Sequence, residues 1–547
     1  MNKILKGLLV AVLAVSAAQV KADSTSSNYT NKTFLMPRPV GVNLPMEQAS
    51  FREHVRHSSK KDDGFGADFQ VTGFYNASAN AANIAKYFLV NSKSTIGLVG
   101  SSKLTGAAVV AAATGDINPN YLIHGITEGT TQAVGAEVIA SVSGISLKLA
   151  PSHEEYGVRL DWHQDLHKLL KGLYLRASLP VAYVANNPKL TVTGGTAAPA
   201  ATAGAAAFPT YNAALPAFFK GSYNVAESSA GGAPGAAGSL LGFDNQVALA
   251  NAKINARQSE TGVADLDIAL GYKFLDKAKY HASLAAAVTV PTGNEAKGVY
   301  AFEPIVGNGK HFAFGGNLCA GAQVWSSGKQ NINLNLDLKY RYLFENSEKR
   351  TYGLKGYKFG QYVLLVESNQ ANAAALAKPN GLIPAANKTT LNTDVTPGSQ
   401  LDGILGLAYN NGNFNLDLGY NMYFREEESL KIKAGQLTDN RFAVAAVNYN
   451  AQGASANAAT FPAAAAIANV TDASVSAAAA FVTAANLDVS SARTPSQFTN
   501  GVYAGLGYIF KSWDCPLMLG VGGKYDWASK NSALEQWGVW GKVGIGF

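Results

Sequence analysis

Side chains able to do acid, base, nucleophilic or metal chemistry are few in this 547-residue sequence. Its eight histidines are His54, His57, His124, His153, His163, His167, His281 and His311. A hydrolase would need one of them paired with an acid or a serine at an exposed rim. His163 follows Asp161-Trp162, His281 lies beside Ser283, and His311 has no acid near it in sequence. None of these makes a convincing catalytic pair, so no catalytic residue is assigned. Metal-ligand spacings of His and Cys are absent, and no metal or cofactor is expected. Gly307-Asn308-Gly309-Lys310 looks like a fragment of a phosphate loop, but no Ser or Thr follows Lys310. Cys319 and Cys515 do not make a disulfide framework and are expected to be free thiols.

What does recur is polarity at every second residue. In Asn331–Phe344, Ile332, Leu334, Leu336, Leu338, Tyr340, Tyr342 and Phe344 share one face. Asn331, Asn333, Asn335, Asp337, Lys339 and Arg341 share the other. Asn413–Phe424 repeats the pattern, with Asn415 and Asp417 on its polar side, and so does Phe65–Tyr75, with Asp68 and Gln70. A period of two is the signature of a strand with one apolar and one polar face. Strands of this length are uncommon in a water-soluble sheet.

The last twelve residues carry the pattern to the end of the chain. Trp537, Val539, Val543, Ile545 and Phe547 lie on one side; Gly538, Trp540, Lys542, Gly544 and Gly546 lie on the other. This ending resembles the C-terminal strand of Gram-negative outer-membrane β-barrels, in which a terminal Phe is the recurrent assembly signal. The resemblance implies an all-β fold, a transmembrane antiparallel barrel in the cell outer membrane. It also implies outer-membrane lipid, lipopolysaccharide and the barrel-assembly machinery as partners; a homo-oligomer is compatible with it. No named family member is identified, so no family residue is carried over.

Such barrels have short periplasmic turns and long extracellular loops. Counting back from Phe547 places strands at about 536–547, 516–527, 498–510, 413–424, 400–410, 331–344, 311–325, 279–290, 264–274, 172–184, 144–163 and 66–76. That is about twelve strands, with fourteen as the alternative and both ends of the wall at the periplasmic rim. Gly144–His163 changes phase, which a bulge near Pro151 would explain. The runs Gln246–Ile254 and Phe359–Glu367 do not fit the count and are assigned to extracellular loops. Long loops are expected at 77–143, 185–263, 345–399 and 425–497. Tyr340, Tyr420, Tyr525 and Trp537 should form the outer aromatic girdle, and Phe510 and Phe547 the inner one.

The inward face of such a wall is its functional surface. The expected pore-lining residues are Asp68, Gln70, Arg159, Asp161, Arg176, Asp265, Asp267, Lys273, Asn333, Asn335, Asp337, Lys339, Arg341, Asp402, Asn415, Asp417, Lys524, Asp526 and Lys542. They need water or partners, because lipid cannot take them. Acids and bases nearly balance, which suits a channel with weak ionic preference. The opposite outcome is that they pair across the lumen and close it.

The front end fits export. Lys3 and Lys6 precede an apolar run at Gly7–Ala18 that is too short to span a bilayer, and Val20-Lys21-Ala22 is a small-x-small site. A signal peptide is therefore expected at 1–22, cleaved between Ala22 and Asp23. Residues 23–64 read as a periplasmic arm, a plug or a disordered tail. Barrel and loops take up 65–547. Only 15% of residues are charged, with 55 Gly, 24 Tyr and 24 Phe, which fits an apolar, girdled outer surface. The net charge of +7 is too mild to argue for nucleic acid. The expected function is passive diffusion of small hydrophilic solutes. One alternative is a surface adhesin or antigen using its long loops. Another is a transporter of hydrophobic solutes with the arm at 23–64 as a hatch.

Overall fold

A strand with one apolar and one polar face can cross a bilayer only if its backbone groups are paired on both edges, which forces closure. The computed structural model shows that closure. It describes residues 31–58, 66–100, 142–195, 210–224, 246–367, 382–437, 441–444, 482–528 and 533–547, with short pieces at 104–105, 108–109, 116–117 and 122–123. The expected signal peptide and its cleavage site lie outside the described residues, as do most of the Ala-rich stretches.

Twelve antiparallel strands form the wall. They are β1 (Ala67–Ser78), β2 (Ser152–Asp165), β3 (Leu173–Asn187), β4 (Leu266–Lys277), β5 (Tyr280–Val290) and β6 (Ala313–Ser327). They continue as β7 (Gln330–Leu343), β8 (Gly398–Asn411), β9 (Phe414–Arg425), β10 (Gln497–Phe510), β11 (Leu517–Ala528) and β12 (Gln536–Gly546). Each pairs with its neighbour in sequence, and β12 closes on β1 in register from Asp68↔Gly546 to Ser78↔Gln536. The terminal residue completes the seam. Phe547 donates its N–H to the Ala67 carbonyl (2.9 Å) and accepts from the Ala67 N–H (2.7 Å).

Burial alternates along these strands, most regularly in β10 and β12. Val71, Tyr156, Leu270, Leu284, Phe314, Leu407, Val502, Val521 and Val543 are exposed on the outside. Among the described residues no helix is long and apolar enough to cross a membrane, and the wall crosses with strands instead. This is an outer-membrane β-barrel: closed, apolar outside, with short connections at one rim and long ones at the other. The expectation for the aromatic girdles is met in part: Tyr420 is half-buried near the middle of β9 and Phe510 is half-buried. Tyr340, Tyr525 and Trp537 are exposed toward the long-loop rim, Phe547 at the short-turn rim.

Two sequence expectations need correction. Gly144–His163 is not one bulged strand. Val142–Lys148 pairs with Thr95–Gly100 and Thr191–Thr193 in a separate sheet, and only Ser152–Asp165 joins the wall. Leu149-Ala150-Pro151 is where the chain passes from one to the other, so the phase change marks two sheets. The wall segment near 264–274 is also longer than expected. Gln258–Val263, assigned to a loop, pairs with the upper half of β3 and leads into β4, with the Ala264 N–H reaching the Pro180 carbonyl across the break (2.8 Å). The runs at Gln246–Ile254 and Phe359–Glu367 do stay out of the wall, and both cysteines are free.

The long connections fold into a dome on their rim. Its sheets include Asn346–Thr351 with Thr390–Thr396 and Ser429–Ile432, and Leu364–Glu367 with Phe442–Val444. Its core packs the helices Ala81–Phe88 and Tyr211–Lys220 against Ile96, Ile145 and Leu147, with Phe302, Phe359 and Tyr362. The described parts of these loops thus bury against one another.

The seam offers a direct check. Gly538 sits opposite Asn76, whose amide donates to Glu155 (2.7 Å), and a methyl at 538 would overlap the Asn76 side chain. Gly538→Ala should cost about 1–3 kcal/mol. The measurement is the temperature at which the compact, unheated gel band is lost: it should fall, whereas Gly541→Ala, with open space around its added methyl, should leave it unchanged.

Candidate functional site

The barrel's interior is occupied by its own amino-terminal segment. Residues 31–58 run from the dome down through the interior of the wall. Asn43 caps the short helix α1 (Leu44–Gln48) by accepting from the Met46 N–H (3.2 Å), and a second helix, α2 (Phe51–Ser58), follows at once. Pro37, Pro39 and Pro45 keep the stretch before and into α1 extended or at a helix start, where a missing N–H costs nothing.

The contacts order themselves by depth. In the dome, Lys32 donates to the Ser490 carbonyl (2.5 Å) and Thr33 to the Thr351 carbonyl (2.6 Å). Arg350 lies over the Phe34 ring at 3.6 Å. At the upper rim, Gln497 donates to the Met36 carbonyl (2.8 Å). Arg38 then pairs with Asp402 (2.7 Å) and Asp526 (3.4 Å), over the ring of Tyr423 (4.9 Å). Asp402 also accepts from the Leu44 N–H (3.0 Å). Midway, Glu47 pairs with Arg159 (2.7 Å) and Lys339 (3.7 Å). Lys542 donates to the carbonyls of Ala49 (2.7 Å) and Glu47 (3.3 Å). Lower down, Asp417 accepts from the Ser50 N–H (2.7 Å), and Arg52 pairs with Asp337 and more loosely with Asp417 (3.9 Å). Asn333 donates to Glu53 (3.3 Å). At the short-turn rim, His54 meets Asp68 at 2.6 Å.

Many of the residues expected to line the interior contact this segment or another side chain of the wall. Asp68, Arg159, Asn333, Asp337, Lys339, Asp402, Asp417, Asp526 and Lys542 contact the segment directly, as above. Asp161 holds Arg159 (2.9 Å); Asp267 holds Lys339 (2.9 Å) and Arg341 (2.8 Å); Lys524 holds Asp526 (2.6 Å). Gln70 donates to Thr72 (3.2 Å) and Asn415 to Asn410 (2.7 Å). Asn335 and Asp265 are buried, the latter at the break before β4, and Arg176 and Lys273 are half-buried. The apolar residues of the segment complete the fit. Val40, Leu44, Met46 and Ala49 pack with Phe74, Ile404, Tyr503 and Trp540 from the wall.

The near balance of lumenal acids and bases is therefore a set of short ion pairs, closed largely by one chain segment. Buried charges of this kind are stable when paired and costly when one partner is removed. Sequence reasoning did not find Arg38 and Glu47, whose partners lie hundreds of residues away. A signal was present: Arg38 and Glu47 are the two charges in the mostly apolar run from Phe34 to Ala49, and such a charge, once buried, needs a partner.

The dome has its own ionic cluster, which corrects a further expectation. His311 does have an acid partner, Glu348 (2.9 Å), while its other ring nitrogen meets the Phe344 carbonyl (2.8 Å). Both nitrogens are thus engaged in structure. Burial pushes the Glu348 carboxyl up, but Arg350 beside it and the hydrogen bond to His311 outweigh burial and hold it below its ordinary value. Arg350 also joins Glu428 (3.2 Å). A carboxyl depressed in the fold contributes stability that is complete above its unfolded value, about 4.3. That stability is lost as pH falls through the lower folded value. Protection of the Asn346–Thr351 amides from hydrogen exchange should therefore weaken in acid, and Glu348→Gln should weaken it at pH 7 and flatten the pH response.

No protein-family model and no curated protein matches the chain. Solved structures do. One is an outer membrane channel from Pseudomonas putida F1, at 10% identity and a TM-score of 0.34, covering 89% of this chain and 99% of that one. A second is the Pseudomonas putida toluene transporter TodX, at 8% identity and 0.31, covering 94% and 99%. A third is the transport unit of the autotransporter AIDA-I from Escherichia coli, at 8% and 0.29, covering 92% and 98%. Likenesses this faint say nothing about what this chain carries.

Proposed function

We propose that the protein is a gated outer-membrane channel for small, predominantly apolar solutes, closed by its own residues 32–58. The observation that carries this reading is a single continuous thread. The segment starts at an apolar cleft in the dome, descends through the lumen and ends at the periplasmic rim. The cleft is lined by Phe88, Leu149, Ile254, Phe302 and Tyr362, with Lys32 as one wall. Its free space is only about 10 Å³, so any guest larger than water must part its walls. One of those walls continues directly into the segment that fills the barrel. Passive diffusion of hydrophilic solutes would instead call for a standing aqueous path, and the filled lumen disfavours it.

Whole-cell permeability separates the two. Cells producing the protein should take up the apolar fluorophore N-phenylnaphthylamine faster than control cells, with entry of the hydrophilic anion nitrocefin unchanged. Phe302→Asp, which places a charge in the cleft, should reduce the gain. Faster nitrocefin entry with no change for the fluorophore would overturn the proposal and restore the hydrophilic pore.

A further inference from the structure

The lumen satisfies its charges almost throughout, which sets one place on its wall apart. Arg176 of β3 faces the interior and, among the described residues, makes no hydrogen bond or ion pair. Its guanidinium lies over the ring of Phe51 in the lumenal segment, at 5.1 Å. Directly across the ladder stands His163 of β2. His163 is 3% exposed, and neither ring nitrogen has a hydrogen-bond partner. Its ring sits between Phe51 (6.5 Å) and Tyr174 (5.3 Å), and Lys273 of β4 lies over Tyr174 at 5.8 Å.

The surrounding acids are committed elsewhere. Asp165 holds Lys273 (3.5 Å) and accepts from the His167 N–H (3.0 Å). Glu47 and Asp337 face Arg176. Glu47 is bound by Arg159 and Lys339, and Asp337 by Arg52. Buried polar groups are normally partnered, and an imidazole left bare on both nitrogens beside an unpaired guanidinium calls for an acceptor. A planar oxyanion fits: the guanidinium fork offers two parallel donors and the imidazole an N–H, with aromatic rings as floor and wall.

We propose that the His163–Arg176 pair is a binding site for a small oxyanion, set in the lower half of the lumen beside Phe51. It stands apart from the solute class assigned to the channel, since it uses none of the cleft residues.

The test is calorimetric titration of the full-length protein in detergent, at fixed ionic strength, with benzoate and separately with inorganic phosphate. One saturable site is expected. Saturation by benzoate assigns it to carboxylates, and saturation by phosphate alone assigns it to phosphate. Arg176→Gln should weaken binding at least about tenfold, equivalent to about 1.4 kcal/mol. Arg176→Lys, which keeps the charge but not the fork, should retain only part of it. His163→Phe, which keeps the ring packing, should weaken binding while the unheated gel band stays compact. Absence of saturable binding of both probes to the folded wild-type protein would overturn the site. So would unchanged affinity in the folded His163→Phe and Arg176→Gln variants.

Discussion

Deleting residues 32–58 should convert the closed barrel into a conducting one. The twelve-strand wall is paired edge to edge without that segment, so closure of the sheet does not depend on it. What depends on it is the filling: Arg38, Glu47, Arg52 and His54 leave, and Asp402, Asp417, Asp337 and Asp68 become available to water. The bore of a twelve-strand barrel exceeds that of the eight-strand barrels whose side chains fill them, so unit conductance in planar bilayers should rise by on the order of tenfold. The freed carboxylates predict a shift toward cation preference as well, because the deletion removes four basic side chains (Lys32, Arg38, Arg52 and Arg56) and only two acids (Glu47 and Glu53). A deletion variant that folds, shown by its compact unheated band, and conducts no more than wild type would contradict the assignment of the segment as the closure.

The second large effect needs one substitution. Arg38→Met leaves Asp402 without its cation at the upper rim, while Asp526 keeps Lys524 (2.6 Å), with both carboxylates about 1% exposed. Removing one partner of a buried ion pair costs about 3–5 kcal/mol. Water entering the lumen would relieve part of that cost, and the relief is itself the opening of the gate. At about 1.4 kcal/mol per factor of ten, the ratio of open to closed states should rise by roughly two to three orders of magnitude. Open probability in single-channel records measures it. The double variant Arg38→Met/Asp402→Asn should return a good part of the change, since the carboxylate left without a cation is then neutral. Equal open probabilities in wild type and Arg38→Met would mean that this ion pair does not hold the segment in place.

The wall was legible because its physics is local. A period of two over Asn331–Phe344 or Gln536–Phe547 needs no knowledge of the rest of the chain, and Phe547 sets the direction from which the other strands follow by alternation. The interior was only half legible. Inward residues such as Asp337, Asp402 and Asp526 could be named from parity. Their partners could not, because Arg38 and Arg52 reach them across hundreds of residues. The same holds for His311 and Glu348 in the dome. At Gly144–His163 the period was right and its interpretation wrong: two sheets meet at Pro151, and alternation does not say which sheet a strand joins. The long loops could be located by alternation, but their packing could not be read that way. The described parts fold as a cover, with Leu215, Phe218 and Phe219 fully buried.

The central claim, that residues 32–58 occupy the lumen and close it, is tested most directly by tying the segment to the wall. A Cβ placed on Gly505 of β10 would lie 2.9 Å from the Cβ of Ala49, close enough that a small relaxation reaches disulfide geometry. Ala49→Cys/Gly505→Cys, in a background with Cys319→Ser and Cys515→Ser, should cross-link on mild oxidation of the folded protein. The oxidised form should remain closed in planar bilayers even when Arg38→Met is added, and reduction should restore opening. Failure of the folded protein to cross-link, or full conductance through the cross-linked form, would contradict it.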